Sequence, residues 1–219
     1  MLDSIELIKD SRLGDYVFTE TDLSHLFGGS PARKYALVHK ALASKELIRL
    51  HRGVYMLSPK YLRQKFGKFF VASHVIKNSY ISFESALSYH GWIPERVEGV
   101  LSAIGDGRTR AFPTPFGEFS YRKIASETGD FYTGVLRMEE DGYPFLIASP
   151  LRALADYIYE RKIQWTELDF LTDGLRIELD SLNTLNQKNF EEIIRVYRNK
   201  RVLDFIKNLK QSLELHATQ

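Results

Sequence analysis

The 219-residue chain is predicted to be an α+β protein: an N-terminal winged helix-turn-helix, then a mixed α+β domain with a helical C-terminal tail. Three observations predict this. Residues 15–57 read as helix, turn, helix and hairpin. Residues 80–148 alternate short β-like runs with turn residues. From Glu167 onward, apolar residues recur at helical spacing. The expected division is residues 1–60 for the first domain, 61–66 for a linker and 67–219 for the second, mixed to about 165 and helical over 166–219.

The elements follow in order. Ile5, Leu7, Ile8 and Leu13 mark a first amphipathic helix over residues 3–12, and Val17-Phe18-Thr19 a short extended entry. Thr21 is expected to cap the next helix, with Asp22 at the positive end of its dipole and Leu23, Leu26 and Phe27 as its apolar stripe. Gly28-Gly29 permits the positive φ that stops it. Ser30 then caps a second helix, with Pro31 at its first position, where the missing N–H costs nothing. Along it Tyr35, Val38 and Leu42 fall at i, i+3 and i+7 and are expected to face inward, leaving Arg33, Lys34 and Lys40 outside. In the hairpin, Ile48 and Leu50 alternate with Arg49 and His51, giving one apolar and one basic face around an Arg52-Gly53 tip. Residues 58–66 are polar and basic, and a helix follows over Phe69, Phe70, Ala72, Val75 and Ile76 to about Asn78.

The first turn of a recognition helix reaches base edges and phosphates. The expected DNA-binding residues are therefore Ser30, Arg33, Lys34, Lys40, Arg49, His51 and Arg52, and the expected partner is double-stranded DNA. A net charge of +2 says little, but its distribution says more. Residues 30–62 carry seven Lys/Arg against the single acid Glu46, whereas residues 124–219 carry twelve basic and sixteen acidic residues. A basic head and an acidic tail fit an N-terminal half that meets phosphate. A solvated helix face, or a winged helix used for protein contacts, is the alternative reading of the basic run.

In the second domain, Tyr80-Ile81 reads as a strand, and Ser82 opens a helix that stops at Gly91. Strands are expected at Val97–Ile104, Arg108–Phe112 and Phe116–Ile124, then at Gly134–Arg137 and Tyr143–Ala148 around a Glu139-Glu140-Asp141-Gly142 turn. Ser149 as N-cap and Pro150 open the helix Leu151–Tyr159. Phe190, Ile193, Ile194 and Tyr197 form one late stripe, and Leu203, Phe205, Ile206 and Leu209 another.

Two segments here resemble a known family. Tyr80-Ile-Ser-Phe-Glu-Ser-Ala-Leu-Ser-Tyr-His-Gly91 is similar to the Y-x-S-x-x-S-A-L-x-x-H-G signature of the AbiEi-family antitoxins, transcriptional regulators of type IV toxin–antitoxin systems in viral defence (abortive infection). Ile147-Ala-Ser-Pro-Leu-Arg-Ala-Leu-Ala-Asp156 resembles that family's A-S-P-x-K-A-L-x-D helix start, with Arg152 where Lys is common. Arg52-Gly53-Val54-Tyr55 matches the R-G-x-Y end of its winged helix. The likeness covers most of residues 5–160 and stops at the helical tail. It singles out Ser82, Glu84, Ser85, His90, Gly91, Ser149, Pro150 and Asp156. It implies a winged helix that binds inverted repeats in its own promoter and represses the operon. It also implies a second domain that counters a nucleotidyltransferase-like toxin, directly or indirectly.

Ser82, Glu84, Ser85 and His90 could be imagined as a catalytic cluster, but Ser85 and His90 are five apart and share no helical face. A buried polar network that pins the helix to the sheet is the expectation, and the chain is expected not to be an enzyme. Arg108 and Arg110, two apart on one strand, with Arg122 and Lys123 on its neighbour, suggest a second basic surface for nucleic acid or a toxin's substrate; a solvated strand face is the alternative. With no cysteine and six scattered histidines (25, 39, 51, 74, 90, 216), no metal site or cofactor is expected. A hydrophobic content of 44% with 26% charged residues is that of a globular domain rather than a disordered one. No leader and no membrane span are recognised, so a cytoplasmic location is expected. A ligand-responsive repressor without a toxin partner and a toxin-modifying enzyme remain the alternatives in function.

Overall fold

The computed structural model describes residues 4–63, 65–125 and 130–216. Asp3 of the expected first helix, Gln64 of the expected linker and residues 217–219 of the tail lie outside the described residues. The architecture is α+β.

The N-terminal elements are α1 (Ser4–Asp10), a 3-10 turn Arg12–Asp15, β1 (Phe18–Thr19), α2 (Glu20–Phe27), α3 (Pro31–Ala43), β2 (Leu47–His51) and β3 (Val54–Leu57). The strands form an antiparallel sheet in the order β1-β3-β2. The cap of α2 lies two residues before the expected Thr21. Thr19 and Asp22 stand at the spacing of a reciprocal capping box, and the Asp22 carboxylate accepts both from the Thr19 backbone N–H and from its hydroxyl, each at 2.7 Å. Those bonds, the backbone one foremost, hold the Asp22 pKa below its ordinary value. Ser30 caps α3 as expected, accepting from the Arg33 N–H, with Pro31 in the first turn. Ile5, Ile8, Phe18, Leu23, Phe27, Ala41, Leu47, Tyr55 and Leu57 close a first core.

The expected linker is packed at both ends. Tyr61 and Leu62 lean on the first core, and Phe66 is buried in a second, because an aromatic ring next to a core gains more by burial than a chain this short gains by freedom. Then come α4 (Lys68–Val75), β4 (Ser79–Ile81), α5 (Phe83–Tyr89), β5 (Val100–Ile104), β6 (Arg110–Thr114), β7 (Gly117–Lys123), β8 (Val135–Glu140), β9 (Tyr143–Ala148) and α6 (Pro150–Arg161). The chain continues through a π-turn Phe170–Gly174 into α7 (Leu179–Asn183), α8 (Gln187–Val196) and α9 (Lys200–His216).

Six strands form one mixed sheet in the order β6-β7-β5-β4-β9-β8. The pairs β4–β9 and β5–β7 are parallel, and the rest antiparallel. Strand alternation sends Tyr121 to one face, where its hydroxyl donates to the Ala72 carbonyl of α4 at 2.7 Å, and Tyr80 to the other, where it meets α6. The sheet is thus covered on both sides, and α6, α8 and α9 share its core. The turn of the β8–β9 hairpin is tighter than expected: β8 runs on through Glu140, and Asp141 and Gly142 alone take positive φ.

Gly134 has φ +72, and a Cβ there would lie 2.8 Å from Ile193 Cδ1 and 3.3 Å from Arg152 Cβ. Gly134→Ala is expected to destabilise the protein by about 1–3 kcal/mol through overpacking and backbone strain. Urea unfolding checks it: an unchanged midpoint would show that Ile193 swings aside freely.

Candidate nucleic-acid interface

Between α2, α3 and the β2–β3 hairpin runs a groove of about 390 Å3. Lys34, Tyr35, His39, Arg49 and Arg52 line it, with Glu20 against the hairpin tip, its backbone N–H donating to the Gly53 carbonyl. Tyr35, expected inside, is 72% exposed. The stripe of α3 that meets the core is Leu37, Val38, Ala41 and Leu42, with Ala41 wholly buried; at about 100° per residue Tyr35 lies beside Leu42, at the edge of that stripe and well away from Ala41. Recognising Ala41 as the centre of the stripe would have moved Tyr35 to its edge. Arg33 and Lys40, seven apart, share the other exposed flank of α3. The structure therefore gathers Lys34, Arg49 and Arg52 around one groove and leaves Arg33 and Lys40 outside it.

The hairpin lacks the free basic face expected of it. A register shift between Arg49 and His51 breaks the simple alternation, so Leu47 and Leu50 are both buried, in different cores. Tyr55 and Leu57 face the helices; Met56 is buried on the side of the second core. His51 is only partly exposed, its ring 4.1 Å from that of Phe112 on β6. Burial foremost, then the charges of Arg110, Arg49 and Arg52, lower its pKa.

The second basic surface divides. Arg108 precedes β6 rather than standing on it, because the strand begins at Arg110; both are exposed. Arg110 pairs with Tyr121, and Lys123, two residues on, shares the Tyr121 face. Arg122 alternates to the opposite face, 3.9 Å from Glu160 of α6. The four cations do not form one patch.

The resemblance-bearing segments meet at one carboxylate. Asp156 and Arg152 of α6 are both wholly buried, with Arg152 Nε donating to Asp156 Oδ1 at 3.1 Å. Asp156 Oδ2 accepts from the Ser82 hydroxyl at 2.5 Å and the Tyr80 hydroxyl at 2.9 Å; Oδ1 also accepts from the Tyr197 hydroxyl. Arg152 completes the set through Nη2 to the Tyr80 oxygen at 2.5 Å and Nη1 to the Thr133 carbonyl at 2.8 Å. Burial, then the Asp156 charge, pushes both phenols well above their ordinary pKa. Burial opposes the charge on Arg152, but Asp156, Tyr197 and Tyr80 together outweigh it and raise the pKa.

Ser82 occupies the N-cap of α5 without capping it, because Asp156 holds its hydroxyl and Phe83 turns to φ +54. Ser149 likewise has cap dihedrals without a side-chain cap bond, and its N–H donates to the Gly134 carbonyl at 2.8 Å. Ser85 Oγ accepts from the Leu101 N–H at 2.9 Å. His90 Nε2 lies 2.8 Å from the Ala148 carbonyl of β9, a hydrogen bond that partly offsets the lowering of its pKa by burial. Glu84 pairs with Arg161 at 2.8 Å. Gly91, at φ +71, ends α5 as expected, and the Trp92 N–H donates to the Leu87 carbonyl.

Among the described residues, no helix is long and apolar enough to cross a membrane, and no three His, Asp or Glu side chains converge as metal ligands would. No family model matches the chain, and no curated protein matches its sequence.

Proposed function

We propose that the protein is a transcriptional repressor that grips duplex DNA with α3 and the β2–β3 hairpin, used as a winged helix. The observation that carries this reading is the groove between them, where Lys34, Arg49 and Arg52 stand beside the exposed Tyr35 and Glu20 is the one acid among the described residues of the lining. Clustered cations beside an exposed helix suit a polyanion whose backbone runs past α3 and whose edges meet its first turns. The element order, helix–strand–helix–helix–hairpin, supports the same use. The likeness of residues 80–91 and 147–156 to the AbiEi antitoxins favours control of a toxin–antitoxin operon, with a nucleotidyltransferase-like toxin as the partner countered. On this reading Ser82, Ser85 and His90 are architectural, since each is engaged by a carboxylate or a backbone group.

The test is a salt titration with duplex DNA from upstream of the gene. Log affinity should fall linearly with log salt, by about 0.9 per phosphate contacted. Binding that ignores salt, or that is absent at low salt, sinks the reading.

A further inference from the structure

The basic groove does not end at the hairpin. His51 lies ring to ring with Phe112, and Leu50 and Met56 are buried in the core that the six-stranded sheet builds. The hairpin is thus held against β6 rather than projecting from the surface. Two residues before Phe112, on the same face of the strand, stands the exposed Arg110. Arg49 and Arg52 are exposed on the hairpin side of this joint. All three guanidiniums act electrostatically on the one imidazole of His51.

Among the described residues, no carboxylate lies within ion-pair distance of Arg49, Arg52 or Arg110. Arg110 makes a hydrogen bond from Nε to the Arg108 carbonyl at 3.3 Å. Three like charges held together without an ion-paired carboxylate repel one another, and an anion relieves that repulsion.

We propose that Arg110, with Arg49 and Arg52, forms a phosphodiester clamp across the joint between the hairpin and β6, so that the second domain takes part directly in holding DNA. This rests on the DNA-binding reading above. Arg52 lines the α3 groove, and the neighbouring His51 packs on Phe112, two residues along β6 from Arg110. The Phe112–His51 contact is the positioning element that keeps the two sides of the clamp in register.

The experiment uses the full chain and one duplex. Arg110→Gln should lower the salt slope by about 0.9, so that the gap from wild type narrows about three- to fourfold between roughly 50 and 200 mM salt. Arg122→Gln, on the opposite face and paired with Glu160, should leave the slope unchanged. Phe112→Ala should weaken binding although it removes no charge, with thermal unfolding reporting separately on folding. If Arg110→Gln keeps the wild-type slope while Arg49→Gln and Arg52→Gln each lose one contact, the clamp is wrong and the DNA reading stands. If the wild-type chain shows no salt-dependent binding, the DNA reading itself fails.

Discussion

Asp156→Ala is expected to destabilise the protein by about 3–5 kcal/mol, the cost of leaving a buried charge without its partner. The change deletes a wholly buried carboxylate that accepts from Tyr80, Ser82, Arg152 and Tyr197. Arg152 would stay behind, wholly buried, with its Thr133 and Tyr80 contacts but no counter-charge. Three stretches of chain lose their common tie: β4 and the residue after it, α6, and the residue after α8. For a chain of this length the loss corresponds to a fall in melting temperature of roughly 6–20 °C. Arg152→Met combined with Asp156→Leu should be less damaging than Asp156→Ala alone, since no orphaned charge remains. Urea and thermal unfolding of the three variants decide it. A loss under about 1 kcal/mol in Asp156→Ala, or a double variant worse than the single, would show that the network contributes little.

The second large effect is on binding. Replacing Lys34, Arg49 and Arg52 together by glutamine is expected to flatten the salt dependence of DNA affinity by up to about 2.7 in the log–log slope, about 0.9 for each contact removed. The three side chains line one groove, whereas Arg33 and Lys40 occupy the other flank of α3, so glutamines at 33 and 40 should change the slope less. Because phosphate contacts carry no sequence information, the triple variant should lose affinity on operator and unrelated duplexes alike. Equal slopes for the triple variant and the wild type would move the nucleic-acid surface elsewhere on the molecule.

Much of the fold was legible in short-range patterns. Ser30-Pro31 placed the start of α3, Gly28-Gly29 its separation from α2, and Gly91 the end of α5. Each depends on a residue's own dihedrals and on partners three or four positions away. The cap of α2 was missed by two residues although its signal was present: Thr19 and Asp22 have capping-box spacing, and Thr21 has no acid three positions on. The site was legible in kind rather than in detail. Lys34, Arg49 and Arg52 do line one groove, but Tyr35, expected inside from its i, i+3 and i+7 spacing with Val38 and Leu42, is exposed. Glu20 was missed as part of the groove lining, because nothing local links residues 20 and 49.

By itself, then, the order of residues determined the α+β class, the identity and approximate limits of most helices and strands, and the concentration of positive charge in residues 30–62. Tertiary structure alone decided that the hairpin is pressed between two cores, that Arg122 faces away from Arg110, and that Ser82 serves Asp156, 74 residues further on, rather than its own helix. The physical reason is range. Dihedral preferences and helical or strand periods act over a few residues and are written in the chain, whereas the choice of which apolar faces meet is a competition among all buried surfaces at once. Only that competition fixes which charges end up side by side.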